Sequence, residues 1–179
     1  VAAKPEAPKL RGIAGLDSPL VGRENECASL QEVLERLKQG FGGVVTIVGE
    51  AGIGKSRLAL EAARRLIGYD LFPDGIWFVP LAGITAGPQQ QTENEMATAV
   101  ANALNLTLTS GETVKSQVFK RLRPANLLLI FDNFEHLIEG ATTVTELLEK
   151  APRMVALVTT REALSVRGEY LLQLEGLDV

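Results

Sequence analysis

At 179 residues the chain is long enough for one α/β domain with a proper core and too short for two of ordinary size. A content of 46% hydrophobic and 22% charged residues is that of a soluble globular protein, and a formal net charge of −4 argues against a basic surface built to wrap nucleic acid. No apolar run approaches a membrane span and no signal-peptide pattern opens the chain; the single cysteine, Cys27, precludes an intramolecular disulfide and suits a reducing cytosol.

Residues 1–15 (VAAKPEAPKLRGIAG) carry Ala, Pro, Lys and Gly with no apolar period, which predicts an interdomain linker or extended arm. The start on Val1 rather than Met fits a piece of a longer protein, with the folded domain expected over residues 16–179. Leu16–Arg23 reads as an irregular loop. Glu24–Gln39 reads as a helix with Cys27, Leu30, Leu34 and Leu37 on one face, stopped by Gly40, Gly42 and Gly43.

Val44–Val48 is a short apolar, β-branched run, the pattern of a buried parallel strand. Gly49, Gly54, Lys55 and Ser56 then satisfy G-x-x-x-x-G-K-[ST], and Arg57–Ile67 is rich in helix formers without Gly or Pro. Strand, glycine loop and helix together are the setting of a phosphate-binding loop. Glycines 49, 52 and 54 admit backbone conformations closed to other residues and leave room for phosphate oxygens. The amides of Ala51, Gly52, Ile53, Gly54, Lys55 and Ser56, with Arg57 following, are placed to converge on an anion at a helix N-terminus. Lys55 offers a charge to the β- and γ-phosphates of a nucleotide, and the Ser56 hydroxyl a ligand to Mg2+.

Beyond this motif, Pro73-Asp74-Gly75 signals a turn and Ile76–Leu81 a second strand, in which Trp77 and Phe78 read as core. Ala82–Thr92 reads as a polar loop. Glu93–Leu104 and Glu112–Leu122 read as helices, the second presenting Lys115, Lys120, Arg121 and Arg123 as a solvated face. Asn126–Phe131 is the most hydrophobic strand and runs into Asp132. Thr143–Ala151 is a helix, Met154–Thr159 a fourth strand, and Tyr170–Leu174 a fifth. Strands alternating with helices predict a parallel, doubly wound α/β sheet with its ligand at the carboxyl ends of the strands.

A nucleotide site of this type needs a strand-end carboxylate for Mg2+, and Asp132 fits. The next position, where many ATPases carry a glutamate base, is Asn133, whose amide can position water but cannot accept its proton. Glu135 is the substitute if the backbone turns it inward. His136, the only histidine, reads as a supporting or surface residue. Arg161, after the fourth strand, is placed to reach a γ-phosphate.

LVGREnE at Leu20–Glu26, GEAGIGKSRLAL at Gly49–Leu60, FPDGIWFVPLA at Phe72–Ala82, LLLIFDNFEHL at Leu127–Leu137 and TTREALSVRGE at Thr159–Glu169 together resemble the P-loop ATPase domain of STAND-class NTPases. The likeness is greatest to the ATPase modules of large multidomain bacterial regulators of the LuxR and SARP types, with NB-ARC domains more distant. The resemblance implies a three-layer sandwich whose five parallel strands run 5-1-4-3-2. It also implies that Val21, Gly22 and Arg23 lie against the base or phosphates, and that Arg161 senses the nucleotide state. ATP/ADP and Mg2+ are the implied cofactors, and other domains of the same polypeptide and an ATP-dependent homo-oligomer the implied partners. The function expected is a cytoplasmic regulatory switch with slow ATP hydrolysis and no direct contact with membrane or nucleic acid. The alternatives are an ATPase motor, a small-molecule phosphotransferase, or a nucleotide-free scaffold. A GTPase is disfavoured because the chain contains no N-K-x-D motif.

Overall fold

A computed structural model describes residues 20–40 and 42–177, so the linker expected at residues 1–15 lies outside the described residues. Helix α1 (Glu24–Gln39) leads into strand β1 (Gly43–Val48) and helix α2 (Lys55–Leu66). Strand β2 (Ile76–Pro80), helices α3 (Gln89–Ala103) and α4 (Val114–Leu122), and strand β3 (Leu128–Asp132) follow. Helix α5 (Ala141–Lys150) and strands β4 (Val155–Thr160) and β5 (Glu169–Gln173) complete the described fold.

The five strands form one sheet in the order β2-β3-β4-β1-β5, and every pairing is parallel. This is the predicted 5-1-4-3-2 order viewed from the other edge. Period-two alternation sends side chains to two separate cores. Val45, Ile47, Leu128, Ile130, Val155 and Leu157 pack against α1 and α2. Val44, Leu129, Phe131, Ala156 and Val158 pack against the layer of α3, α4 and α5. The result is a helix–sheet–helix sandwich with both sheet faces buried, as parallel sheets require. No helix among the described residues is long and apolar enough to cross a membrane.

Several local expectations shift. The loop predicted at Ala82–Thr92 is cut short because α3 already begins at Gln89, after Pro88. The glutamines are good helix formers, and the Gln89 and Gln91 amides donate to Glu93 and Glu95 one turn on, each at 2.9 Å. Helix α4 starts at Val114 rather than Glu112, because the Thr113 hydroxyl accepts from Ser116 N at 3.1 Å and caps it. Helix α2 begins at Lys55 and gives way to a single 3-10 turn over Ile67–Tyr69.

Lys115 departs from the solvated face expected of it. Its ammonium donates to Glu93 Oε2 at 2.9 Å and to Glu146 Oε2 at 2.8 Å, tying α4 to α3 and α5. Burial alone would push the Lys115 ammonium down, but its hydrogen bonds to Glu146 and Glu93 reverse this and raise it above the ordinary lysine value. The hydrogen bonds from Lys115 and then Gln89 hold the Glu93 carboxyl below the usual range. Lys120 does stand in solvent, paired with Glu112.

Candidate functional site

The carboxyl ends of β1, β3 and β4 lie side by side at the centre of the sheet, and three sequence-distant segments meet there. The register pairs Ile47 of β1 with Thr159 of β4, and Gly49 N donates to Thr160 O at 3.2 Å. The phosphate loop is thereby pinned to the end of β4 where it leaves the sheet.

Within the loop the glycines act differently. Gly52 and Gly54 adopt φ of +74° and +101°, a region that favours glycine. Gly49 is needed for a close approach instead, since a Cβ there would stand 2.9 Å from the Leu174 carbonyl oxygen beyond β5. Ile53 packs its side chain over Gly49 and against the α1–α2 core, and its amide donates to Glu50 O at 3.4 Å.

Lys55 opens α2 and is buried, with 6% of its surface exposed. Its Nζ donates to Gly49 O at 2.7 Å and Glu50 O at 2.9 Å, and lies 3.4 Å from Glu135 Oε1. The Glu135 carboxylate thus turns inward, against the lysine that would meet a nucleotide's phosphates.

A cleft of about 500 Å³ runs along these groups. It is lined by Ala51, Gly52, Gly54, Lys55, Ser56 and Arg57 from the loop side, and by Asn133, Glu135, Thr159 and Arg161 from the neighbouring strand ends. Arg161 is exposed and has no carboxylate partner among the described residues. A cleft of about 720 Å³ between α4 and α5 is larger, but it contains none of the candidate residues. Size is therefore a poor guide here, and the convergence of chemistry a better one.

Asp132 joins the site through Thr159, whose hydroxyl donates to Asp132 Oδ1 at 2.8 Å. Its other carboxylate oxygen has no protein donor among the described residues. Ser56 and Asp132 together offer a hydroxyl and a carboxylate, hard oxygen donors of the kind Mg2+ takes alongside nucleotide phosphates. Among the described residues no group of three or more His, Cys, Asp or Glu could hold a metal by itself. Such a site fits a cation that arrives with phosphate oxygens, rather than one caged by protein alone.

The amino-terminal candidates are not among the residues that line this cleft. Arg23 is buried, its guanidinium donating to Glu26 Oε1 at 2.8 Å and to Glu175 O at 2.5 Å. It fastens the start of α1 to the chain beyond β5, and the Arg23 hydrogen bond holds the Glu26 carboxyl below its ordinary value. The Arg23 guanidinium thus meets protein partners in this structure. Val21 is 73% exposed, and Gly22 sits against Leu177. His136 donates from Nε2 to Ile84 O at 2.5 Å, securing the turn after β2 to the segment that carries Glu135.

Sequence pattern alone assigns Thr159 no role. A polar residue ending a run of apolar strand positions was its one visible signal. Asn133 holds φ +67°, a left-handed conformation that Asn tolerates better than most residues.

Residues 19–159 match the family model described as an AAA ATPase domain. A Mycobacterium tuberculosis protein, provisionally named an HTH-type transcriptional regulator, is 30% identical over 137 residues, 76% of this chain and 14% of its own length. The chain thus spans about a seventh of that curated relative. Among solved structures, the ADP form of the Aeropyrum pernix ORC2 protein superposes with a TM-score of 0.64 at 18% identity. That match covers 93% of this chain and 50% of the other. A Pyrococcus horikoshii STAND protein with a tetratricopeptide repeat sensor gives 0.53 at 18% identity, over 91% of this chain and 25% of its own. At these identities the structural likeness speaks for the fold.

Proposed function

Because the chain belongs to the AAA ATPase domain family, we propose that it is the ATP- and ADP-binding switch module of a larger regulatory protein, hydrolysing ATP slowly with Mg2+. The observation that carries this reading is the single cleft in which the glycine loop and Lys55 face Asn133, Glu135 and Arg161. The diphosphate would lie along the loop amides, its charge met by Lys55, with Arg57 and Arg161 at the rim. The base would lie toward Val21 and Gly22. The chain at 174–177 supports that direction, since it touches Gly49 at Leu174 and Gly22 at Leu177.

Ser56 and Asp132 would hold Mg2+, which when bound offsets charge on the phosphate oxygens. Hydrolysis requires a water oxygen to attack the γ-phosphorus while the bond to the bridging oxygen breaks and ADP departs. Asn133 can hold that water, but the proton must go to Glu135 or to solvent. A carboxylate 3.4 Å from Lys55 is free for this task only after phosphate takes its place at the ammonium. Both features favour slow turnover and a long-lived bound state, the behaviour of a switch. Partners would be further domains of the same polypeptide, with assembly driven by ATP. A cytoplasmic location accords with the unpaired, buried Cys27.

The test is to purify the protein without added nucleotide, denature it, and identify what is released by chromatography, beside the Lys55→Ala variant. Stoichiometric ADP from the wild type and none from a folded Lys55→Ala protein is the expected result. A variant that keeps full affinity for ADP in calorimetry would refute the role given to Lys55.

A further inference from the structure

We propose that Thr159 is the positioning residue of the Asp132 carboxylate and of the turn that follows it. The inference rests on the reading of the cleft as a Mg-nucleotide site. Thr159 is 1% exposed near the end of β4 and makes three hydrogen bonds, one to each of three consecutive residues from the last of β3 onward. Its hydroxyl donates to Asp132 Oδ1 at 2.8 Å and accepts from Asn133 N at 2.9 Å, and its carbonyl accepts from Phe134 N at 2.9 Å.

A hydroxyl has one proton, and here the Asp132 carboxylate takes it, so the lone pairs remain for the Asn133 amide. Each partner therefore fixes the other's orientation. With Oδ1 engaged, the Asp132 carboxylate is held in one rotamer, and its second oxygen is the one left for a cation or its water shell. The same oxygen of Thr159 braces Asn133 at φ +67°, a conformation that needs local support in a residue with a side chain. Bracing that residue aims Asn133 and, two positions on, Glu135 into the cleft. A β-branched side chain suits the task because its χ1 is restricted on a strand. Valine would fill the same volume and orient nothing.

The experiment compares wild type, Thr159→Val and Thr159→Ser. ADP affinity is measured by calorimetry in EDTA, and Mn2+ affinity of the ADP-bound protein by electron paramagnetic resonance. Thr159→Val should weaken Mn2+ binding about 10-fold or more, the usual effect of removing a hydrogen bond to a metal ligand. Its ADP affinity in EDTA should stay within about twofold, and Thr159→Ser should restore most of the Mn2+ affinity. Mn2+ binding by Thr159→Val equal to that of the wild type would overturn the positioning role and leave the nucleotide reading intact. Wild-type protein that binds neither ADP nor Mn2+ would overturn both. A third measurement needs no variant: the Asn133 amide should resist hydrogen exchange as strongly as that of Phe134. Exchange of the Asn133 amide at the rate of an exposed one would overturn the proposal.

Discussion

Replacing Glu135 by glutamine should tighten ADP binding while slowing ATP turnover, an opposition that follows from the geometry of one ion pair. Lys55 Nζ and Glu135 Oε1 lie 3.4 Å apart, with side chains 7% and 22% exposed. With an effective dielectric constant of about 20, the gross attraction at that distance is about 5 kcal/mol. Desolvation and ordering offset most of it, leaving a net of about 1–2 kcal/mol for a pair intermediate between exposed and buried. An incoming phosphate must displace the carboxylate, so removing its charge at constant shape returns that amount to binding. ADP affinity, read by calorimetry in EDTA so that no metal intervenes, should rise about 5- to 30-fold. ATP turnover should fall on the order of 100-fold if Glu135 takes the proton of the attacking water. Unchanged or weaker ADP binding by Glu135→Gln would refute the view that this carboxylate competes with phosphate. Unchanged turnover would remove it as the base.

Arg161→Ala should narrow the difference between ATP and ADP affinity, and calorimetry with both nucleotides would show it; two unchanged affinities would end the sensor assignment. Lys115→Met should cost about 1–3 kcal/mol in denaturant unfolding, since it strands the 9%-exposed Glu93 side chain without its cation. The pH dependence has a definite sign. Glu93 is depressed in the folded state, so its contribution is present above the unfolded carboxylate value of about 4.3 and is lost as pH falls through the lower folded value. Lys115 is raised, so its contribution is present below about 10.4 and is lost only as pH climbs through the higher folded value. Thermal melts from pH 3 to 7 should show a shallower acid limb for Lys115→Met than for wild type; identical limbs would exclude Glu93 as a source of acid sensitivity.

The features legible in the sequence were those set by neighbours in the chain. Continuous apolar runs mark β1, β3 and β4 because both sheet faces are buried, and the glycine spacing marks the loop because backbone conformation is local. Where the reading failed, a local competitor or a distant partner decided the outcome. The Gln89–Gln91 run looked like loop, yet it meets glutamates one turn on and extends α3. Lys115 looked solvated because Glu93 and Glu146 lie on other helices. No periodicity within a single helix carries that information.

The cooperation of Asp132 and Thr159 lies between these cases, since it is local in pattern and distant in partnership. Leu128 and Ile130 of β3, and Val155 and Leu157 of β4, all face the α1–α2 core. Counting on by twos, Asp132 and Thr159 fall on that same face, and α2 is the helix that opens with the phosphate loop. The alternation that buries four aliphatic side chains thus also delivers a carboxylate and a hydroxyl to one side of the sheet. Adjacency of β3 and β4 then brings them to hydrogen-bonding distance. Loss of one residue from β4 would carry Thr159 to the face of α3, α4 and α5, and its hydroxyl away from Asp132. The packing of Leu157 against one helical layer and Val158 against the other is therefore what holds the hydroxyl in register with the carboxylate.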